Sequence, residues 1–148
     1  MAVKLHEVYF KEAPFKDALR HFKNSAENGL EALGLLTGRV YCFQGEQYVV
    51  VEDYITGENE ASGVSVSFSR NAFKDLSSKL KGKNIVGWVH SHPGFGCFLS
   101  STDIRTQECF FNENYHFAFV IDPVNEDYRA FKLRDGVVVE VSFVVVKE

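Results

Sequence analysis

The run "GWVHSHPGFGCFLSSTDIRTQ", Gly87 to Gln107, gathers two histidines, a cysteine, three serines and an aspartate around a Pro-Gly turn. On a strand, side chains two residues apart point the same way. At a rise of ~3.3 Å per residue the Cα atoms of His90 and His92 would stand roughly 7 Å apart, near enough for both imidazoles to converge on one metal ion. Pro93, Gly94 and Gly96 permit a sharp reversal, and the helix that follows holds Asp103 in its first turn. Two histidines and a carboxylate suit catalytic zinc, which takes three protein ligands and leaves a fourth position to water. Water at such a site ionises near neutral pH and can attack a carbonyl.

Hydrolysis by that route also needs a proton carrier, and the segment holds no acid besides Asp103. Glu31 opens the strand-like stretch "EALGLLTG", where an ionised side chain among small and apolar residues calls for a partner. Within reach of the attacking water, Glu31 would take its proton and hand it to the leaving amine. Ser100 could donate a hydrogen bond to the oxyanion. Plainer readings stand beside these. H-x-H pairs occur without metal, Ser100 and Asp103 match a capping box, and Glu31 could be a surface charge closing the first helix. Cys97 beside a histidine base could be a thiol nucleophile. A closed site from His90, His92, Cys97 and Cys109 fits no standard zinc module. Trp88 and Phe95 either line a groove or belong to the core. A zinc deaminase would require H-x-E and P-C-x-x-C, which the sequence lacks.

These residues need a scaffold. Phe15, Ala18, Leu19, Phe22 and Ala26 recur at helical spacing behind Pro14, predicting a helix over 14–28 with Gly29 as terminator. "EALGLLTG", "RVYCF" and "QYVVVEDYI" read as strands, the last two joined at "QGE". Residues 56–62 read as a loop, "GVSVSF" as a strand, and "SRNAFKDLSSKLKG" as a helix ended by Gly82. "NIVGWVHSH" is an apolar strand leading into the site, and "SSTDIRTQECFF" a helix capped by Ser100 or Ser101. "YHFAFVID" is a buried strand, and "DYRAFKL" with "VVVEVSFVVV" a closing hairpin turned at Asp135-Gly136. Strands interleaved with two or three helices imply an α/β domain around one mixed central sheet.

The 148 residues, 45% of them hydrophobic, suit one domain over 1–148. A formal net charge of −4 without long runs of one sign argues against a nucleic-acid partner. The apolar stretches are too short for a membrane span, and the charged start lacks a signal peptide's core. Three cysteines, an odd number without a dense framework, fit a reducing compartment, so a cytoplasmic protein is expected.

"EALGLLTG" followed by "GWVHSHPGFGCFLSSTDIRTQ" resembles the JAMM, or MPN-plus, zinc metalloproteases. Their pattern is a Glu in a Gly-terminated strand, then H-x-H, seven residues, Ser, two residues and Asp. Glu31, His90, His92, Ser100 and Asp103 match it. The wording looks especially like the catalytic domains of the proteasome-lid deubiquitinase and the signalosome deneddylase, and the resemblance runs from the first helix through "VIDP" at 120–123. It implies an MPN-type fold, zinc held by His90, His92 and Asp103, Glu31 as general acid/base and Ser100 steadying the oxyanion. It further implies substrates joined after the Gly-Gly tail of a ubiquitin-like or sulfur-carrier protein, and a possible homodimer. A non-catalytic MPN-type interaction scaffold is the alternative, although such scaffolds typically lack one or more of the three ligands. Phe98 departs from the Trp usual in close relatives. The chain also ends at Glu148 without the C-terminal helices of the lid and signalosome enzymes, so a compact, stand-alone enzyme of prokaryotic type is expected.

Overall fold

The computed structural model describes residues 5–30, 32–56, 59–61, 66–68 and 78–147. Strand β1 (Val8–Lys11) leads directly into helix α1 (Glu12–Glu27), and the long strands β2 (Leu33–Phe43) and β3 (Glu46–Ile55) form a hairpin. A small ribbon, β4 (Asn59–Ala61) with β5 (Val66–Phe68), precedes β6 (Asn84–Ser91) and helix α2 (Ser101–Phe110). Strands β7 (Phe117–Asp122), β8 (Asp127–Arg134), β9 (Val137–Val141) and β10 (Phe143–Val146) complete the chain.

Eight strands form one mixed sheet in the order β10-β1-β3-β2-β6-β7-β8-β9. The pairs β10–β1, β1–β3 and β6–β7 are parallel and the remainder antiparallel. Strands β9 and β10 stand at opposite ends of that order, yet only Ser142 separates them in the chain. The sheet therefore curls until its ends meet. Across the seam Ser142 C=O accepts from Val8 N–H at 3.3 Å, and Glu7 binds both Lys132, at 3.2 Å, and Arg134 from β8.

Side chains alternate between the two faces of the sheet. On one face Pro14, Ala18 and Phe22 of α1 are buried, above a core that includes Phe10, Val51, Val89, Phe117, Phe119 and Ile121. Phe119 meets Phe10 at 4.8 Å and Phe143 at 4.9 Å between ring centroids, tilted and edge-on contacts worth about 0.5–1.5 kcal/mol each beyond simple burial. On the other face Leu33, Leu35, Ile55, Trp88 and Ala118 pack with Leu99 and Phe111, which flank α2. The register of β2 against β6 shifts between Leu36 and Thr37, so Val86 stays on the α1 side while Trp88 faces α2.

The expected α/β class holds. The first helix begins two residues earlier than its apolar periodicity indicates, with Pro14 in its first turn, and Gly29 follows its end at φ 69°. "LGLLTG" and "RVYCF" are one strand rather than two, continuous through a bulge between Thr37 and Gly38. Residues 59–61 are a strand and not loop, because β5 offers a partner for a sequence with no strand pattern of its own. The final apolar run is split at Ser142, its second half leaving β8 to pair with β1. Most of the expected second helix, residues 69–77, lies outside the described residues. No helix among the described residues is long and apolar enough to cross a membrane.

Candidate metal centre

Strand β6 ends at Ser91, and the backbone N–H of His92 still pairs with Ile121 C=O at 2.9 Å, so strand-like order persists through the second histidine. His90 and His92 project on the α2 side, with ring centroids 4.8 Å apart, and both are buried. Helix α2 then brings Asp103 over them. His90 Nε2 lies 3.0 Å and His92 Nε2 3.3 Å from the same oxygen, Asp103 Oδ2. One ligand atom from each of the three residues falls within 4.8 Å of the others. Zinc–nitrogen bonds of about 2.0–2.1 Å in a tetrahedron set ligand atoms about 3.3 Å apart, so the two carboxylate–imidazole spacings fit such an ion.

Asp103 is the third residue of α2, and a capping box forms around it. Ser100 Oγ accepts from Asp103 N–H at 3.1 Å, while Ser100 N–H donates to Asp103 Oδ2 at 2.9 Å. The cap and the metal-site geometry are thus compatible, and the N-terminal end of the helix favours the negative charge. Burial works to raise the pKa of Asp103, but hydrogen bonds from His90 and His92, with the Ser100 N–H, outweigh it and hold the carboxyl well below its ordinary range. Burial lowers the pKa of His90 despite the neighbouring carboxylate. An ionised aspartate and neutral imidazoles are the forms that bind a metal.

The loop from Pro93 to Leu99 is held from beneath by Asp122, the fully buried last residue of β7. Its carboxylate accepts from the N–H groups of Gly94 and Gly96, each at 2.8 Å, and from Val124 and Asn125 on the other side. Both glycines have φ near 80°, a region that disfavours other residues, so the N–H groups can turn towards one acceptor. The sequence reading missed Asp122. The signal was available: an acid closing the apolar run "YHFAFVID" needs partners for the same reason that Glu31 does.

Cys97 lies in this loop and donates its thiol to Val120 C=O at 3.3 Å and Asp127 C=O at 3.2 Å. Burial, aided by the Asp127 carboxylate, pushes its pKa up to about 12. Such a thiol is a poor nucleophile. Cys109 is exposed on α2, and the His90, His92 and Asp103 group forms without either cysteine. Trp88 is buried in the core, whereas Phe95 is exposed and Phe98 packs on His92 at 4.7 Å between ring centroids. Glu31 lies outside the described residues; its chain neighbour Ala32 is joined to Ser91 by two hydrogen bonds of 2.8 and 3.1 Å.

Residues 3–114 match the family model described as JAB1/Mov34/MPN/PAD-1 ubiquitin protease. The 26S proteasome regulatory subunit rpn11 of Schizosaccharomyces pombe is 35% identical over 123 residues, covering 79% of this chain and 38% of the relative. The ubiquitin carboxyl-terminal hydrolase RPN11 of Saccharomyces cerevisiae is 33% identical, over 79% of this chain and 39% of its own. COP9 signalosome complex subunit 5 of Candida albicans is 33% identical over 72% of this chain and 19% of its own. The chain thus spans less than two-fifths of the length of these relatives. The solution structure of protein DSY2949 from Desulfitobacterium hafniense superposes with a TM-score of 0.70 at 21% identity, covering 95% of this chain and 94% of that one, and shares the fold.

Proposed function

The chain belongs to the JAB1/Mov34/MPN/PAD-1 family, and from that premise we propose that it is a zinc-dependent isopeptidase, a single catalytic domain hydrolysing the bond after the Gly-Gly tail of a ubiquitin-like or sulfur-carrier protein. The observation that carries this reading is the convergence of His90 Nε2 and His92 Nε2 on Asp103 Oδ2, at 3.0 and 3.3 Å. His90, His92 and Asp103 would hold the ion. When bound, zinc supplies a Lewis acid that polarises the scissile carbonyl and lowers the pKa of water.

The chain's own groups do the remaining work. Glu31 moves the proton from the attacking water to the leaving amine. The two hydrogen bonds between Ala32 and Ser91 support that role, since they tie Glu31's neighbour to the residue between the two histidines. Ser100 Oγ already accepts from Asp103 N–H, which leaves its own hydrogen to give to the carbonyl oxygen as that atom gains charge. Asp122 and the glycine turn keep the chain after His92 in place.

The test begins with metal content, by mass spectrometry of tag-free protein, and continues with cleavage of a Gly-Gly-ended modifier fused to a reporter. One zinc per chain is expected, kept in Cys97→Ser and lost in Asp103→Ala. Glu31→Gln is expected to keep zinc and abolish turnover. A wild-type chain that takes up no zinc on reconstitution would overturn the reading. Zinc and modifier bound without cleavage by any variant would leave a non-catalytic scaffold instead.

A further inference from the structure

Histidines that ligate metals usually fix their rings by donating the second nitrogen to a carboxylate or carbonyl. His90 Nδ1 is buried and has no hydrogen-bond partner among the described residues. Beyond the Nε2 contact with Asp103, packing bears on the orientation of the ring. The indole of Trp88, two residues earlier on β6, lies against the His90 ring at 4.5 Å between centroids and 13° from parallel. Phe111 backs the indole at 5.5 Å and 9°. A tilt of the imidazole out of its plane towards the indole drives the ring's edge into this column.

The indole is itself held. Its N–H donates to Gln107 Oε1 at 2.5 Å, and Gln107 Nε2 donates to His116 C=O at 3.3 Å, so the amide has one usable orientation. Gln107 is 2% exposed and stands one helical turn after Asp103 on α2. Two rungs therefore join β6 to α2: Trp88 with Gln107, and His90 with Asp103.

We propose that Trp88 is the positioning residue of the metal centre, its ring setting the plane of His90 and its N–H bond to Gln107 setting the register of the helix that carries Asp103. The inference rests on the proposed zinc site and concerns what gives that site its affinity.

Trp88→Leu, Trp88→Phe and Gln107→Leu separate the two parts, with Zn2+ alone as the probe and a chromophoric chelator as competitor. Trp88→Leu is expected to weaken zinc binding by about 10- to 100-fold, and Gln107→Leu by about tenfold. Trp88→Phe keeps a ring on His90 and is expected to recover part of the loss. Phe119→Leu, on the opposite face of the sheet, controls for general destabilisation; it should lower the melting temperature and leave zinc affinity within about twofold. Trp88 is the chain's one tryptophan, so zinc should also change the emission of the wild type and not of His90→Ala.

Wild-type affinity in both Trp88→Leu and Gln107→Leu would overturn this inference and leave the zinc site standing. Equal losses in Trp88→Phe and Trp88→Leu would overturn the role of the stacked ring. Should Trp88→Leu fail to fold, Gln107→Leu and Trp88→Phe carry the decision. A wild type that binds no zinc overturns the inference together with the proposed function.

Discussion

Replacing Asp122 by asparagine keeps the size of the side chain and puts donors into a pocket that is lined by donors. Oδ1 accepts from Gly94 N–H at 2.8 Å and from Val124 and Asn125 N–H at 3.1 Å, and Oδ2 from Gly96 N–H at 2.8 Å and Asn125 Nδ2 at 2.7 Å. In its better orientation the amide keeps the donors at Oδ1 and turns its NH2 against the two at Oδ2. Hydrogen bonds to a charged group contribute about 1.5–3 kcal/mol each, and water at the exposed loop recovers part, so a loss of about 2–3 kcal/mol is expected. The ionisation of Asp122 supplies a second measure. Burial opposes the charge, but Gly94 N–H and the Asn125 amide outweigh it and hold the pKa at about 2 against an ordinary 3.8. That difference corresponds to about 2 kcal/mol, in agreement with the first figure.

The folded pKa lies below the unfolded one, so this contribution is complete above about pH 4 and is lost as the pH falls through about 2. Urea unfolding at neutral pH should show Asp122→Asn with a lower midpoint and an unchanged slope. The gap from wild type should close on acidification through that window, and zinc affinity should fall because the loop directly follows His92. A difference at neutral pH below about 0.5 kcal/mol, or a gap that does not narrow at low pH, would refute the reasoning.

Ser100→Ala removes the cap on α2 and should cost about 1 kcal/mol in thermal or urea unfolding while zinc stays bound, since Ser100 N–H still holds Asp103. If Ser100 also serves the oxyanion, kcat should drop by about 10²-fold with KM nearly unchanged. With its thiol pushed up to about 12, Cys97 should react with iodoacetamide far more slowly at neutral pH than the exposed Cys42 and Cys109, measured by mass spectrometry of peptides. Rapid labelling of Cys97 would restore the thiol reading.

Much of the local architecture was legible because it is written in short-range patterns. The spacing of Phe15, Ala18, Leu19 and Phe22 marks α1, and the apolar run "NIVGWVHSH" marks β6. The serine and aspartate three residues apart mark the start of α2, whose cap is observed. The ribbon at 59–61, the merging of two strands across the Thr37–Gly38 bulge and the split at Ser142 were not legible, because each depends on a partner distant in the chain. Apolar content identifies a strand and is silent about which edge it joins.

The candidate metal centre divides along the same line. H-x-H on a strand and S-x-x-D at a helix start determine which side chains can be ligands, because strand alternation and cap geometry are properties of a few consecutive residues. That the helix lands with Asp103 Oδ2 on both imidazoles is decided by tertiary packing. Trp88 and Gln107 join strand to helix, and Asp122 arrives from β7 to hold the turn between them. Positions so far apart in sequence meet only once the sheet has formed, and a contact of 3 Å cannot be specified before the elements that carry it are packed.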